Sequence, residues 1–413
     1  MEFRNCKLEL DLKCHAPIIH FQPSVNAKGA TLRASEVKPK FDKYLWTKEP
    51  EKLATYELLP YKMKFIAKKK KEVIDENKED EDVDIPLYYA KDQKRMVITN
   101  PRIVITCFDP TLQKLIIKHI KNFFIVTNFG AAQGKGYGSF TVIDEEQSKI
   151  ERILREEFGL KTLYKMDFRK AAKNLKFSKK IKVIFENIEK FYKITKSGYN
   201  YQGEYARSAL FYYMHDKMIG NEKAALKDKV IEKPFGTIPY HLNQQTHNEK
   251  YVRALLGLSS YLSFTDIRKN TKKEEKDISV NIDIMHEANK IEANIERFSS
   301  PITFKVINDI VYIIPKQRWC KYILNKKFKF KYKVSKNVPR SWMSAIKDNK
   351  MRKIEYERFI RKLDEKLKRE EIYLQTPEEF DLLNFLDFAV QYYNKEDNRY
   401  LHNVDILCKI EQS

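Results

Sequence analysis

The hydrophobic pattern at the start of the chain predicts a strand and then a helix. In "KLELDLKC" every second residue is apolar, which is the period of a strand with one buried face. These residues are Leu8, Leu10, Leu12 and Cys14. In "GATLRASEVKPKFDKYLW" the spacing changes to that of a helix, whose apolar stripe consists of Val37, Phe41 and Leu45. Because proline lacks the amide hydrogen that a helix interior needs, we expect Pro39 near the first turn.

Two β-rich runs and a second helix follow. "RMVITN" and "RIVITCF" lie on either side of Asn100-Pro101, which predicts a hairpin. Asp109-Pro110 predicts a helix start, because aspartate caps the first turn and proline fits the first helical position. The apolar positions of this helix are Leu112, Ile116, His119, Ile120 and Phe123. The segment "FFIVT" (123–127) fits either the end of the helix or a separate strand, and "GSFTVI" closes the region as a strand.

The resulting order, strand-helix-strand-strand-helix-strand, predicts an α+β, ferredoxin-like domain over residues 1–145. A charged stretch at about residues 66–90 interrupts this order. Its "KKKK" run is followed by a mainly acidic segment, which is typical of a solvated, mobile loop.

The pattern changes after residue 145. Ser148 and Glu151 have the spacing of a capping box, Ile150, Ile153, Leu154 and Phe158 form a stripe, and Gly159 ends the helix. We expect residues 146–295 to be mainly helical and basic. In residues 296–413, "ITFKV" and "IVYII" predict a second hairpin across Asn308-Asp309, followed by two or three charged helices.

Composition indicates the kind of partner. The 413 residues, 42% of them hydrophobic, are enough for two domains or one elaborated domain. Lysine and arginine number 79 against 57 acidic residues, which gives a formal net charge of +22. A fold does not need this surplus, so it indicates a polyanion, either nucleic acid or an anionic membrane surface. The 13% aromatic content also suits stacking on unpaired bases.

The sequence does not favour a membrane, secreted, disulfide-bonded or metal-binding protein. No run of 18 apolar residues predicts a transmembrane helix, and the N-terminal alternation is too strict for a signal peptide. The five cysteines lie far apart without a CxxC pair, and the histidines show no metal-ligand spacing. We therefore expect a cytoplasmic protein without a metal or other cofactor and without a membrane partner.

Glycines are concentrated in "NFGAAQGKGYGSF" (128–140), which holds four of the eleven glycines in the chain. Glycines without side chains let backbone amides approach phosphate closely, and Lys135 adds a positive charge, so the segment is a candidate phosphate-binding loop. It is neither a Walker loop, which requires GK[ST], nor a dinucleotide fingerprint, which requires a following helix. "KGYG" resembles the start of an RNP1 run, but Ser139 breaks that pattern. A tight turn at a sheet edge remains the alternative.

Three stretches resemble the RAMP superfamily of CRISPR proteins, the ferredoxin-like RNA binders of class 1 effector complexes. "NFGAAQGKGYGSFTV" resembles the family's glycine-rich loop, "GATLRASEVKPKFDKYL" the segment that enters its first helix, and "RFSSPITFKV" a late "R-x-x-S-P-x-x-F" run of some type III members. The first-helix segment departs from the usual "S-[ST]-L-K-G". The resemblance implies a ferredoxin-like core with helical insertions and a second, degenerate ferredoxin-like half that contains the 302–314 hairpin.

The resemblance also implies which residues contact RNA. Loop contacts are expected at Gly134, Lys135, Gly136, Tyr137 and Gly138, with Lys135 on phosphate and Tyr137 on a base. Arg33 and Lys38 are expected to contact phosphate near the first helix. "KSGYNYQGEYARS" combines cations with tyrosines, which suits phosphate contact and base stacking at Lys196, Tyr199 and Tyr201. "KFKFKYK" (327–333) fits either an edge strand with aromatics in the core or a track for phosphates.

We therefore expect a CRISPR RNA-binding subunit of a type III-like antiviral complex, which positions RNA beside other effector subunits. Two alternatives remain open. One is a metal-independent endoribonuclease that processes the precursor RNA; its candidate catalytic residue is His20, after the first strand, because a histidine near neutral pKa serves as base or acid. The other is an interaction subunit that binds no RNA.

Overall fold

The computed structural model describes a large part of the 413-residue chain. The described residues are 1–21, 32–66, 72–74, 94–98, 100–143, 145–201, 204–222, 226, 248–258, 261–265, 279–286, 298–335, 372–395 and 408–412. Most of the charged insertion predicted as a mobile loop and all of residues 336–371 lie outside them.

The described residues form both strands and helices. The strands are β1 Lys7–Cys14, β2 Ile18–Phe21, β3 Tyr61–Ile66, β4 Glu72–Ile74, β5 Lys94–Ile98, β6 Arg102–Cys107, β7 Phe140–Val142, β8 Tyr164–Asp167, β9 Tyr199–Tyr201, β10 Glu204–Ala206, β11 Gly220–Asn221, β12 Glu249–Lys250, β13 Tyr261–Thr265, β14 Ser279–His286, β15 Ile302–Ile307, β16 Ile310–Pro315, β17 Lys327–Ser335, β18 Ile372–Gln375 and β19 Ile410–Gln412. The helices are α1 Ala34–Lys48, α2 Pro50–Leu53, α3 Pro110–Val126, α4 Gln147–Phe158, α5 Phe177–Lys196, α6 Ala209–His215, α7 Gln317–Cys320 and α8 Leu382–Asn394, with a 3₁₀ turn at Val252–Leu256.

The first half of the chain is ferredoxin-like, which confirms the predicted α+β class. Its sheet has the antiparallel order β3-β6-β1-β7, with β1 and β6 in the centre. The α1 stripe of Val37, Phe41 and Leu45 is buried, and so is the apolar face of α3. Asp109 caps α3 by accepting from the amides of Thr111 and Leu112, and "FFIVT" ends this helix rather than forming a strand.

The predicted hairpin across Asn100-Pro101 is wrong. The strand that pairs with β6 is β3, in "YKMKFI", with Tyr61 opposite Cys107. The "RMVI" strand, β5, instead pairs with β2 and β4 in a separate three-stranded sheet. Both β3 and β5 have strand-like sequences, so local pattern did not show which of them completes the main sheet.

The second half repeats the same topology. Its sheet has the order β15-β16-β8-β19, in which β8, β15, β16 and β19 take the places of β1, β3, β6 and β7. Helices α5 and α8 occupy the positions of α1 and α3. Asn308 and Asp309 form the two-residue turn between β15 and β16 with φ of 50° and 63°, as the hairpin prediction requires. The implied second ferredoxin-like half is therefore present, and it takes β8 and α5 from the region expected to be mainly helical.

Two insertions elaborate this second half. One lies between α5 and β15 and the other between β16 and α8. Together they contribute a four-stranded antiparallel sheet of order β13-β14-β17-β18. The "KFKFKYK" run forms β17, which has partners on both sides, with Phe328 and Phe330 fully buried. It is thus an inner strand and not the edge strand that one alternative proposed.

A buried lysine ties the two halves together. Lys305 of β15 is 1% exposed, and its Nζ donates to the carbonyls of Phe124, Thr127 and Phe140 at 2.8, 2.7 and 3.4 Å. Phe124 and Thr127 lie at the C-terminal end of α3, where backbone carbonyls lack helical partners and the helix dipole is negative. Lys305 of the second half thereby caps a helix of the first.

Two local expectations need correction. Pro39 is the sixth residue of α1, in its second turn. The next helix, α4, begins at Gln147 after Glu146, so Ser148 does not cap it, although Gly159 ends it in a left-handed conformation as predicted. Both helices thus begin earlier in the sequence than Pro39 and Ser148 indicated.

Candidate nucleic-acid interface

The glycine-rich loop is closed by a backbone crossing that only glycine permits. Asn128 and Ser139 form an isolated bridge, and the amide of Phe129 donates to the carbonyl of Gly138 at 2.9 Å. Gly138 has φ of +67°, and a Cβ there would lie 1.8 Å from the carbonyl oxygen of Phe129. The fold itself therefore requires glycine at position 138.

The middle of the loop docks on the second half of the chain. A Cβ on Gly136 would lie 3.1 Å from Val306 Cγ2, and this glycine has φ of +93°. The Tyr137 ring is 3% exposed and stacks on Phe185 of α5, with ring centroids 4.0 Å apart. Gly136 and Tyr137 thus hold the two halves together in this structure, and the buried ring has no face open to a base.

The first part of the loop has a different environment. Gly134 is exposed, and a Cβ there would meet only Thr303 Cγ2 at an ordinary contact distance of 3.7 Å. Its carbonyl accepts from the amide of Phe304 at 3.1 Å, and Lys135 forms a parallel bridge with Phe304, so the loop lies along the edge strand β15. Neither a positive φ nor a close neighbour explains a glycine at position 134.

Gly134 and Lys135 line a cleft of about 430 Å³. The other walls come from α5, the 257–258 segment, the 298–303 segment and α7 with the residue before it. The cleft is lined by Ala132, Gln133, Gly134, Lys135, Tyr192, Lys196, Gly257, Leu258, Phe298, Ser299, Ser300, Ile302, Thr303, Lys316 and Trp319. Among these residues three are lysines and none is acidic, so the cleft favours an anion.

Lys196 is held at the end of α5. Its Nζ donates to the carbonyl of Gly257 at 2.6 Å and lies 5.8 Å from the ring centroid of Tyr192. Burial, with a smaller contribution from the positive charge of Arg253, lowers the pKa of Lys196 to about 8. The side chain therefore carries its charge at neutral pH and loses it in mildly alkaline solution.

The start of α1 lies against the loop on its other side, so two of the stretches with family resemblance are neighbours. The Glu36 carboxylate accepts from the amide of Gly130 and from Lys40 Nζ, both at 2.8 Å. Lys40 Nζ also donates to Gln133 Oε1 at 3.1 Å. Arg33 is exposed at the residue before α1, within reach of solvent.

Lys38 and the two tyrosines after α5, Tyr199 and Tyr201, are not among the residues that line the cleft. Lys38 pairs with Asp42 at 2.7 Å and lies 4.3 Å from the ring centroid of Tyr61, so its charge already has a partner within the first half. Tyr199 is half-buried, with Lys190 Nζ 5.6 Å from its ring centroid. Tyr201 pairs through its backbone with Glu204, and its side chain lies outside the described residues.

Neither histidine after β1 gains support as a catalyst. His20 pairs with Arg95 in the β2–β5 ladder, and its side chain lies outside the described residues. His15 is buried; its Nδ1 accepts from the amide of Asn308 at 3.2 Å, so its Nε2 donates to Thr141 Oγ1 at 2.8 Å. Burial is the main factor that lowers the pKa of His15 well below its ordinary value. His15 is thus a neutral bridge between the halves.

The described residues offer neither a metal site nor a membrane-spanning helix. Over the described ranges, no group of three histidine, cysteine or acidic side chains could hold a metal ion. No helix there is both long and apolar enough to cross a bilayer.

Sequence reasoning missed Lys316 and Trp319. Trp319 is 43% exposed, and its Nε1 donates to Ser299 Oγ at 2.9 Å, within the "RFSSPITFKV" stretch. Both residues follow the β15–β16 hairpin in "PKQRWCK", in which a tryptophan lies between cations. That mixture is the one signal in the sequence that could have revealed them.

Two ferredoxin-like halves in one chain, with a glycine-rich loop before the last strand of the first half, define a RAMP protein and confirm the resemblance. Family models identify which kind of RAMP protein it is. The model described as Cmr1 N-terminal domain matches residues 5–199, and that described as Cmr1 C-terminal domain matches residues 205–411. The chain belongs to the Cmr1 family, RAMP subunits of the type III-B Cmr effector complex. This membership implies CRISPR RNA and the other Cmr subunits as partners. Among curated proteins no match was found.

Proposed function

We propose that the chain holds the guide RNA of a type III-B complex in the cleft between its glycine-rich loop, α5 and the 298–303 segment. The observation that carries the proposal is the charge of the cleft. Lys135, Lys196 and Lys316 lie on three separate walls, and none of the described lining residues is acidic. A sugar-phosphate backbone that passes between these walls would meet Lys196 and Lys316. Lys135 would reach it by turning outward, because its Nζ is buried 5.6 Å from the ring centroid of Tyr192.

Gly134 has a specific part in this proposal. Its backbone is exposed and has room for a Cβ, so packing within the protein does not require glycine there. The absence of a side chain would instead let a ligand approach the backbone closely. Phosphate and sugar contacts from backbone groups position a nucleic acid without reading its sequence. Gly136 and Tyr137 support this contact indirectly, because they fix the loop to the second half of the chain, and Gly138 does so by closing the loop on Phe129.

The remaining predicted contacts extend the cleft. Arg33 is proposed as a flanking phosphate contact, since α1 packs against the loop and Arg33 is exposed at its start. Tyr199 and Tyr201 follow Lys196 and are proposed to continue the RNA path beyond α5. Lys38 is proposed only as a weak contact, because its ion pair with Asp42 would have to open.

The test compares charge removal inside and outside the cleft. We expect Lys135→Gln combined with Lys316→Gln to weaken binding of a guide RNA and to flatten its salt dependence. Three phosphate contacts on a single strand give a slope of log K against log salt of about −2, to which each lysine contributes about −0.7. The double variant should therefore reduce the magnitude of the measured slope by about 1.4.

Lys114→Gln is the matched control. Lys114 is exposed on the second turn of α3, roughly 18 Å along the helix axis from its C-terminal end near the loop. Loss of this lysine should leave the slope of log K against log salt equal to that of the wild type within error. Equal slopes for the wild type and the double variant, in samples with the same melting temperature, would remove the cleft from the RNA path.

A further inference from the structure

Trp319 is an exposed aromatic side chain that lines the cleft. It belongs to α7, the short helical turn after β16, and nearly half of it is accessible to solvent. The neighbouring Tyr322 is 65% exposed. Tryptophan is usually buried to a large extent, so an exposed indole in a cationic cleft is a feature that packing alone does not account for.

The indole is nevertheless held firmly. Its Nε1 donates to Ser299 Oγ, Phe298 stacks on one face with ring centroids 6.2 Å apart, and Tyr322 meets it edge-on at 5.9 Å. The amide of Trp319 donates to the carbonyl of Lys316 at 2.9 Å, and the amide of Lys316 donates to the carbonyl of Pro301 at 2.8 Å. Because these contacts fix the ring in advance, little conformational entropy remains to be lost on binding.

The open part of the ring lies beside positive charge. Phe298 stacks on the ring, 43% of Trp319 nevertheless remains exposed, and Trp319 shares the cleft with Lys316 and Lys196. An aromatic platform next to cations matches a ligand that has a flat, uncharged ring and a negative group joined to it. Nucleotides have this chemistry, and stacking on an aromatic side chain requires a base with a free face.

From this arrangement we propose that Trp319 stacks on an unpaired base of the guide RNA while the cleft lysines hold the adjoining phosphates. This inference rests on the proposed function and narrows its ligand to single-stranded RNA, because both faces of a base inside a duplex are covered by its neighbours. The cleft volume of about 430 Å³ falls within the range of roughly 300–1,000 Å³ for sites that hold one small organic ligand. One nucleotide at a time would therefore be enclosed, with the strand entering and leaving along the surface.

The experiment measures binding of three probes to the full chain: an oligouridine, the same backbone with every base removed, and a blunt RNA duplex. Loss of one stacking contact lowers affinity by about 5- to 150-fold, so we expect Trp319→Ala to weaken oligouridine binding by a factor in that range. Abasic and duplex binding should not change, and Trp319→Phe should retain most of the affinity. Phe108→Ala, at a residue that is 78% exposed at the far end of α3, is the control for loss of a surface aromatic.

A second measurement keeps the test valid if Trp319→Ala does not fold. In a Trp46→Phe, Trp342→Phe background the only remaining tryptophan is Trp319. Its fluorescence should be quenched by oligouridine and not by the abasic strand. Equal quenching by both probes, or wild-type oligouridine affinity in Trp319→Ala, would overturn stacking.

The outcomes separate this inference from the function on which it rests. If the lysine variants weaken binding and Trp319→Ala does not, the stacking site is wrong and the RNA cleft stands. If neither set of variants has an effect, both are wrong. In the reconstituted complex, 4-thiouridine in the guide should cross-link to the 298–319 region, whereas cross-links from target RNA alone would overturn the assignment to the guide.

Discussion

Gly134 and Gly138 lie four residues apart in one loop, but the structure predicts opposite effects for their substitution. At Gly138 an alanine would place its Cβ 1.8 Å from a backbone oxygen while φ is +67°. A left-handed conformation costs a residue with a side chain about 1–2 kcal/mol. Relieving the clash would also break the backbone hydrogen bonds from Gly138 to Pro17 and from Phe129 to Gly138. With roughly 0.5–1.5 kcal/mol for each bond, Gly138→Ala should lower the free energy of unfolding by about 2–5 kcal/mol.

At Gly134 the same change should have little effect on stability. The nearest atom to its Cβ would be 3.7 Å away, and the backbone is not left-handed. Replacing glycine by alanine at a compatible position stabilises a protein by about 0.4–1 kcal/mol, through the unfolded state. We therefore expect Gly134→Ala to melt at or slightly above the wild-type temperature. Gly134→Asp should also fold, but its carboxylate would face the proposed phosphate.

Thermal unfolding and RNA binding measured on the same samples distinguish these effects. A like charge about 4 Å from a phosphate costs about 1–4 kcal/mol, depending on how much water screens it, so Gly134→Asp should lose at least about 5-fold in guide RNA affinity at low salt. Raising the salt concentration should reduce that loss. Wild-type affinity in a folded Gly134→Asp sample would refute the placement of RNA at the loop. An unchanged melting temperature in Gly138→Ala would refute the argument that the fold demands this glycine.

Three further predictions concern the buried titratable groups. Lys305→Met removes the donor from three carbonyl oxygens in two buried hydrogen bonds and one part-buried hydrogen bond, and it should lower the free energy of unfolding by about 3–5 kcal/mol in chemical denaturation. An equally stable variant would contradict the role of Lys305 in joining the two halves. Burial lowers the pKa of Lys196 to about 8, so guide RNA affinity should fall between pH 7 and pH 9 as this lysine loses its charge. Lys196→Arg should remove this pH dependence. The control is Lys190→Arg, because burial also lowers the pKa of Lys190 to about 8. His15 binds a proton more weakly in the folded than in the unfolded chain, so stability should decrease as pH falls below about 6.5; the melting temperature of His15→Gln should depend less on pH in that range.

Local signals in the sequence predicted the central parts of the fold. Alternation in β1, the cap at Asp109 and the two-residue turn at Asn308-Asp309 each depend on neighbours within a few residues, and all three are present. The choice between β3 and β5 as the partner of β6 depends instead on contacts across a charged insertion. Both runs have strand-like sequences, and pairing between distant segments is set by the tertiary core rather than by either segment.

The glycine-rich loop shows a second limit of sequence reasoning. Four glycines in thirteen residues indicate backbone freedom, but the sequence does not say whether the fold or a ligand uses it. The environment of each missing Cβ separates the two uses. Gly138 is needed to close the loop on Phe129, Gly136 is needed where the loop packs against the second half, and neither requirement applies to Gly134, which we propose contacts the RNA. The interpretation as a phosphate loop therefore narrows to its first, exposed part.

The cleft itself brings together segments that lie far apart in the chain. Its three lysines, Lys135, Lys196 and Lys316, come from separate regions of the sequence. Local patterns in the sequence indicated Lys135 and Lys196 separately, but they did not show that these two lysines meet Lys316 in one cleft. They converge because β15 of the second half pairs with the loop of the first, which brings α5 and α7 to the same edge. The proposed RNA site is therefore a property of the contact between the two ferredoxin-like halves, and substitutions that loosen that contact, such as Lys305→Met, should weaken RNA binding without touching the RNA.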